Sequence, residues 1–342
     1  MGATTEKDTN PEGTQGSSRG LPRVLLATTA LLSFITFWQA AAVVLNDMGS
    51  SAFYAGAIAE HFVGRTAPWF ILAIMLIACA VRALYIESCS MFVRGGVYRV
   101  VKEAMGSTLA KFSVSALMFD YILTGPISGV SAGLYLVGLL NEIFQYLHYK
   151  LVLPVNQTAA FFAIIVTVYF WWENTKGIPE SSEKALRIMY VTTVMVVMMI
   201  GWCVYTISVR GAHVPPLPTL KTLTYSKDAL GWLSRTQLPY TIGLIGILIG
   251  LGHSVLAMSG EETLAQVYRE VQHPKLKNLE KAGFVIFIYS LVFTAGVAFF
   301  AVMIIPDSVR QNFFDNPIGG LAMYLQGPLY LRLNWRLSLG KA

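Results

Sequence analysis

Charge is scarce in this chain. Of its 342 residues only 13% are Asp, Glu, Lys or Arg, against about 25% in an ordinary soluble protein. That leaves too little polar surface for a soluble enzyme of this length, and too little charge for a disordered chain. Cysteine is scarcer still. The three present, Cys79, Cys89 and Cys203, all sit in apolar stretches. An odd number without metal-ligand spacing excludes a disulfide scaffold and a Cys/His metal site, so they are expected as small core residues. There is no H-E-x-x-H pair, P-loop, nucleophile elbow or dinucleotide-type glycine fingerprint. The expectation is a non-enzyme with no catalytic residue, no metal and no cofactor. Nothing here would hydrolyse ATP, so active transport would draw on an ion gradient.

Apolar residues are abundant at 55%, and the mean hydropathy is +0.56. They fall in runs near 24–63, 68–90, 113–143, 152–172, 188–208, 238–268 and 282–305. Most reach the roughly 20 residues needed to cross a hydrocarbon core about 30 Å thick. The expected fold class is an all-α polytopic membrane protein with seven spans. Residues 1–23, rich in Pro, Gly, Ser and Thr, read as a disordered cytoplasmic tail. With that tail inside, fourteen Lys and Arg fall in cytoplasmic segments (Arg94 to Lys111 and Arg269 to Lys281 among them) and seven outside. The positive-inside rule then makes the N-terminus cytoplasmic and 209–237, with Pro215, Pro216 and Pro218, an extracellular loop. The net charge of +6 reflects this loop bias, so nucleic acid is not expected as a partner. Beyond Pro306, Pro317 to Leu331 looks like an eighth span that stops at Arg332-Leu333-Asn334-Trp335-Arg336. It reads either as a short interfacial helix or as truncation of a longer chain, the latter being favoured.

Two spans look interrupted. The first is broken at Asn46-Asp47-Met48-Gly49-Ser50-Ser51. It is either a full span 24–46 with a half-span after it, or a lead-in followed by halves near 38–46 and 51–63. The sixth carries Ile249-Gly250-Leu251-Gly252 and then Ser259-Gly260-Glu261-Glu262. A span can unwind only where protein or water receives its backbone groups, and paired broken helices point to the binding site of a secondary transporter. Glycine clusters also occur where helices merely pack closely. Asp47 is costly at mid-span unless it meets a cation, water or a partner, with Arg82 as a candidate for a structural pair. Tyr121, Thr124 and Ser128 share a helical face in span three, serving either as ligands or as helix–helix glue. Pro126 frees the carbonyl of Ile122. Glu261 or Glu262 carries a coupling proton or caps the following half-helix. His61 and His253 are expected as packed polar residues, and Asp120 and Glu87 complete the charges that are not loop anchors.

These residues carry a family likeness. The broken first span, Arg94-Gly95-Gly96-Val97-Tyr98, Ser259-Gly260-Glu261-Glu262 and Val271-Gln272-His273-Pro274 resemble the amino acid–polyamine–organocation superfamily of permeases, from about residue 38 to 325. Two patches, Asp47-x-x-Ser50-Ser51-x-x-Tyr54 and Asp120-Tyr121-Ile122-Leu123-Thr124 with Ser128 and Ser131-Ala132-Gly133, look closer to KimA-type and KUP-type potassium importers. The resemblance implies a LeuT-like fold of two inverted five-helix repeats, the first complete over 24–208 and the second partial over 238–342. It implies a gradient-driven, proton-coupled importer working by alternating access in the plasma (inner) membrane, with a homodimer as a candidate assembly. The implied cargo is a small cation such as potassium, or else an amino acid or amine. A non-transporting sensor or gene fragment is the rival reading. Implied binding residues are Asp47, Gly49, Ser50, Ser51, Tyr54, Tyr121, Thr124, Ser128, Ser259 and Gly260, with Asp47 and Glu262 for the proton. A chain truncated in the second repeat would not transport alone.

Overall fold

The computed structural model describes residues 34–92, 96–175, 178–219, 221–235 and 243–327. The expected tail at 1–23, Arg94 and Gly95 of the turn after span two, and the stretch at Arg332–Arg336 lie outside these. Among the described residues the fold is all-α, with six helical stretches long and apolar enough to cross a membrane. The longest, Phe37–Met91, folds back on itself. Gly64 takes a positive φ of 66°, and Arg82 Nη2 returns to within 3.9 Å of Met48 Sδ across the turn. Counted as two passes, it agrees with the seven expected runs.

The first pass comprises α1 (Phe37–Met48), a 3-10 turn over Gly49–Phe53 and α2 (Ala55–Val63). Thr36 starts α1 through a capping box: its hydroxyl accepts from Gln39 N at 3.2 Å, and Gln39 Oε1 accepts from Thr36 N at 2.9 Å. A capped start at 36 selects two halves about a break over a full span 24–46; most of the expected lead-in, over 24–33, lies outside the described residues. There follow α3 (Ala67–Met91), the short α4 (Val97–Met105), α5 (Ser107–Tyr146), α6 (Val155–Asn174) and α7 (Ile178–Arg210). Pro126 lies inside α5 without ending it. After the one-turn α8 (Lys227–Leu230), the sixth span is α9 (Gly243–Ser254), a 3-10 turn to Met258, a non-helical Ser259–Glu262 and α10 (Thr263–Val267). The break therefore falls at the second of its two candidate interruptions, around Gly260. At the first the helix is continuous, and Gly250 is a hollow filled by the Phe70 ring. The seventh pass is α11 (Lys275–Ser290), a π segment at Leu291–Ala295 and α12 (Gly296–Ile304). The stub is α13 (Asp307–Arg310), a 3-10 turn and α14 (Pro317–Tyr324).

The two broken spans lie side by side in opposite directions. Ile35 N donates to Glu270 O at 2.8 Å and Gln272 N to Ile35 O at 3.1 Å. Further along, Thr263 Oγ1 donates to Asp47 Oδ2 at 2.9 Å and Ser51 Oγ to Ala257 O at 3.0 Å. The breaks are thus level with each other. A core of Val44, Met48, Ile71, Met75, Leu264, Leu279 and Ile286 surrounds them with α3 and α11. In lipid such packing gains little from water exclusion, so close contact of small residues matters more. The α5–α6 seam shows this. Gly129 and Gly133, four apart on α5, meet Ala163 and Ala159 on α6, and a Cβ on Gly133 would lie 2.6 Å from the Ala159 carbonyl oxygen. Outward faces of α5–α7 carry exposed Phe112, Phe119, Phe161, Ile164, Val191 and Val197, as a lipid-facing surface requires. Cys89 and Cys203 are buried as expected, but Cys79 is exposed on α3. Its position on the helix faces away from the core, which an apolar run alone does not reveal.

Candidate functional site

A cavity of about 380 Å³ opens beside the first break. The break supplies Gly49, Ser50, Phe53 and Tyr54; α5 supplies Ser128, Ser131 and Tyr135; α7 supplies Met189 and Thr192; the seventh pass supplies Tyr289 and Phe293. Ser50 Oγ and Ser128 Oγ are 3.0 Å apart, and Tyr54 Oη is 3.5 Å from Ser50 Oγ. Asn46 also lines the cavity, its amide nitrogen donating to Ala42 O at 2.7 Å and to Ala185 O at 2.8 Å. That use of both amide protons leaves its oxygen as the group available to a guest. Phe53 meets Tyr135 and Phe293 edge-on, at 5.8 Å and 5.6 Å between ring centres. Among the described residues no charged side chain lines this cavity. A chamber of several hundred Å³ with mixed aromatic walls and a few fixed hydroxyls has the size and lining typical of a small organic ligand site.

The expected ligand set does not form one site. Gly49, Ser50, Tyr54 and Ser128 line the cavity; Asp47, Ser51, Tyr121, Thr124, Ser259, Gly260 and Glu262 do not. Ser51 is buried, and its hydroxyl donates to Met48 O at 2.7 Å as well as to Ala257 O. The others gather at a second place, between the two breaks and α5. There Asp47 holds the Thr263 hydroxyl, and Thr124 Oγ1 donates to Asp120 Oδ1 at 3.3 Å and lies 3.4 Å from Ser259 Oγ. Gln266 Nε2 donates to the Tyr121 hydroxyl. Glu262 is only 8% exposed, lies close to Asp47, Asp120 and Tyr121, and has a buried Oε1 without a hydrogen bond. The shared face of Tyr121, Thr124 and Ser128 thus spans both places. Each of its hydroxyls meets a polar group of a broken span, as the glue reading expects.

Gly260 makes the second place possible. Its φ is +97°, and a Cβ there would stand 2.9 Å from Met48 N and 3.0 Å from Asp47 Oδ2. Only glycine combines that backbone with so close an approach.

Arg82 does not pair with Asp47. It pairs with Glu261, Nε donating to Oε2 at 3.0 Å and Nη2 to Oε1, with Gly283 O 3.4 Å from Nη1. Both residues are almost wholly buried, at 3% and 2% exposed. Of the two adjacent acids, Glu261 is therefore bound within the fold. Glu262 makes no side-chain cap on α10. Glu87 is exposed near the end of α3, away from both places. His253 stacks on Phe62 at 4.3 Å and His61 sits edge-on to Phe62 and Phe314, so both are packed polar residues. Among the described residues no group of three or more His, Cys, Asp or Glu could hold a metal ion.

Sequence reasoning missed Tyr135. Its hydroxyl donates to Phe53 O at 2.8 Å and accepts from Ile318 N at 3.1 Å, joining the first break to α14. A lone tyrosine in an apolar run gave no signal of either partner.

Compared with known proteins, residues 35–327 match the family described as Amino acid permease. No curated protein and no solved structure matches the chain.

Proposed function

The chain belongs to the amino acid permease family, and we propose that it is a gradient-driven importer of a small amino acid or amine. The observation that carries this is the cavity of about 380 Å³ at the first break, walled by hydroxyls and aromatic rings with no charged side chain among its described lining. A bare potassium ion needs a tight cage of oxygens in place of its hydration shell, which a chamber this wide does not offer. A zwitterion fits it better. The first-turn amides of α2 have no intrahelical partner, and the positive end of that helix suits a carboxylate. Ser50, Ser128 and the Asn46 oxygen are hydrogen-bonding partners for the rest of the solute, and Phe53, Tyr289 and Phe293 give its side chain apolar walls.

In this reading the second place serves coupling. Glu262, with its unpartnered oxygen, takes up a proton as the cavity loads, and Asp47 conveys the change to α10 through Thr263. The paired broken spans then move against α5 and α6 in alternating access, within a fold of two inverted repeats whose N-terminus is cytoplasmic. The plasma membrane is the setting in which an import gradient of this kind exists.

The acid cluster favours a second reading. Asp47, with the hydroxyls of Thr263, Thr124 and Ser259 nearby, supplies oxygens to which potassium itself could bind as cargo, without three acids closing on one point. Uptake by the full-length protein in proteoliposomes separates the two. Labelled amino acids driven by an inward proton gradient are expected to accumulate, with Ser128→Ala raising KM several-fold at unchanged expression. Accumulation of rubidium, lost in Asp47→Asn while no amino acid or amine enters, would sink the first reading and establish the second.

A further inference from the structure

A second cavity, of about 360 Å³, lies on the far side of Tyr135 from the first. Leu136, Leu139 and Glu142 form one wall from α5, and Phe313, Asn316 and Met323 face them from the turn before α14 and from α14 itself. Tyr135 belongs to both cavities, and its bridge from Phe53 O to Ile318 N is the partition between them. Most of the lining is apolar. Its polar groups are Tyr135, Asn316 and Glu142, the last counted in sequence with the loop charges but standing inside α5 one turn before its end, half-buried, with no hydrogen bond or ion pair among the described residues.

A carboxylate in such surroundings is unfavourable without a counter-charge. Asn316 supplies none: its Oδ1 accepts from Gly319 N at 2.9 Å as the cap of α14. Among the described residues no basic side chain lines the chamber either. The chamber therefore has an anchor for one cation and apolar room for a body attached to it. We propose that it is a binding site for a primary amine with an apolar body, distinct from the solute cavity. Its ammonium sits on Glu142, and the rest packs between Leu139, Phe313 and Met323. The occupant touches both α5 and α14, so it stabilises the same junction that the Tyr135 hydroxyl makes.

The proposal stands apart from the transport reading and is tested by binding alone. The full chain in nanodiscs is titrated calorimetrically with 4-phenylbutylamine, and with 4-phenylbutan-1-ol as the uncharged counterpart. One charge-assisted contact is typically worth a factor of ten or more. Glu142→Gln is accordingly expected to weaken amine binding at least tenfold and to leave the alcohol unchanged. Leu139→Trp fills the chamber with Glu142 still present and is expected to abolish binding of both probes. Ser128→Trp fills the other cavity, so it should block solute uptake and leave amine binding intact. Melting curves confirm that each variant is folded. Amine binding that is absent, or equal in wild type, Glu142→Gln and Leu139→Trp, overturns the proposal. Loss of uptake activity with amine binding preserved bears only on the transport reading.

Discussion

Replacing Arg82 with Met leaves Glu261, 2% exposed, with no other hydrogen-bond donor among the described residues. Breaking a buried ion pair from one side costs about 3–5 kcal/mol, whereas exchanging both partners for apolar groups of similar volume is often neutral or mildly stabilising. The same cost applies to Glu261→Met, which strands the guanidinium between Phe287 and the Gly283 carbonyl. Against a total stability of about 5–15 kcal/mol, each single change removes about a fifth or more. The double variant is expected to return to within about 1 kcal/mol of wild type. Arg82→Lys should fall between, because a point charge cannot reproduce the two-pronged contact. The assay is reversible unfolding in mixed micelles of mild detergent and sodium dodecyl sulfate, read as a double-mutant cycle. Single variants that each cost under about 1 kcal/mol, or a double variant that merely adds its parents, would refute the reasoning.

Three further outcomes follow from the glycines. Gly260→Ala forces a side chain into a left-handed backbone at about 1–2 kcal/mol from conformation alone, and its Cβ collides with Met48 N; thermal unfolding should show a clear loss, and proteoliposome uptake should vanish. Gly133→Leu drives a side chain into the Ala159 backbone and should sharply lower the folded yield on size-exclusion chromatography, whereas Gly201→Ala, with open space around it, should be neutral or stabilise α7 by about 0.5–1 kcal/mol.

Span number and the two breaks were legible because run length and the rule against unsatisfied backbone in lipid act locally. The first break's position followed from Asn46 to Ser51, and the Thr36–Gln39 box settled which reading of that span holds. The sixth span was harder. Gly250 and Gly252 look in sequence like Gly260, yet only Gly260 has the positive φ that interrupts the helix. What Gly250 accommodates is a ring from residue 70, and nothing near it in sequence says so. Pairing of charges was illegible for the same reason. Arg82 and Glu261 are 179 positions apart, and Asp47, the acid considered for a structural pair with Arg82, instead turns its carboxylate toward Thr263. The candidate ligands were identified as individual polar residues in spans. Their division into an uncharged cavity and an acid cluster depends on helix rotation about the breaks, which spacing along one helix does not reveal.

The kind of adhesive differs between the two faces of α5. Toward α6 the contact is backbone against small side chains at Gly129, Gly133, Ala159 and Ala163, with no flexible group that could let go and re-form. Toward the first broken span it is hydroxyls, Ser128 at 3.0 Å from Ser50 and Tyr135 on the Phe53 carbonyl, each able to trade its partner for water or a solute. A strain applied to the molecule would therefore part it along the hydroxyl face. The α5–α6 hairpin would stay whole.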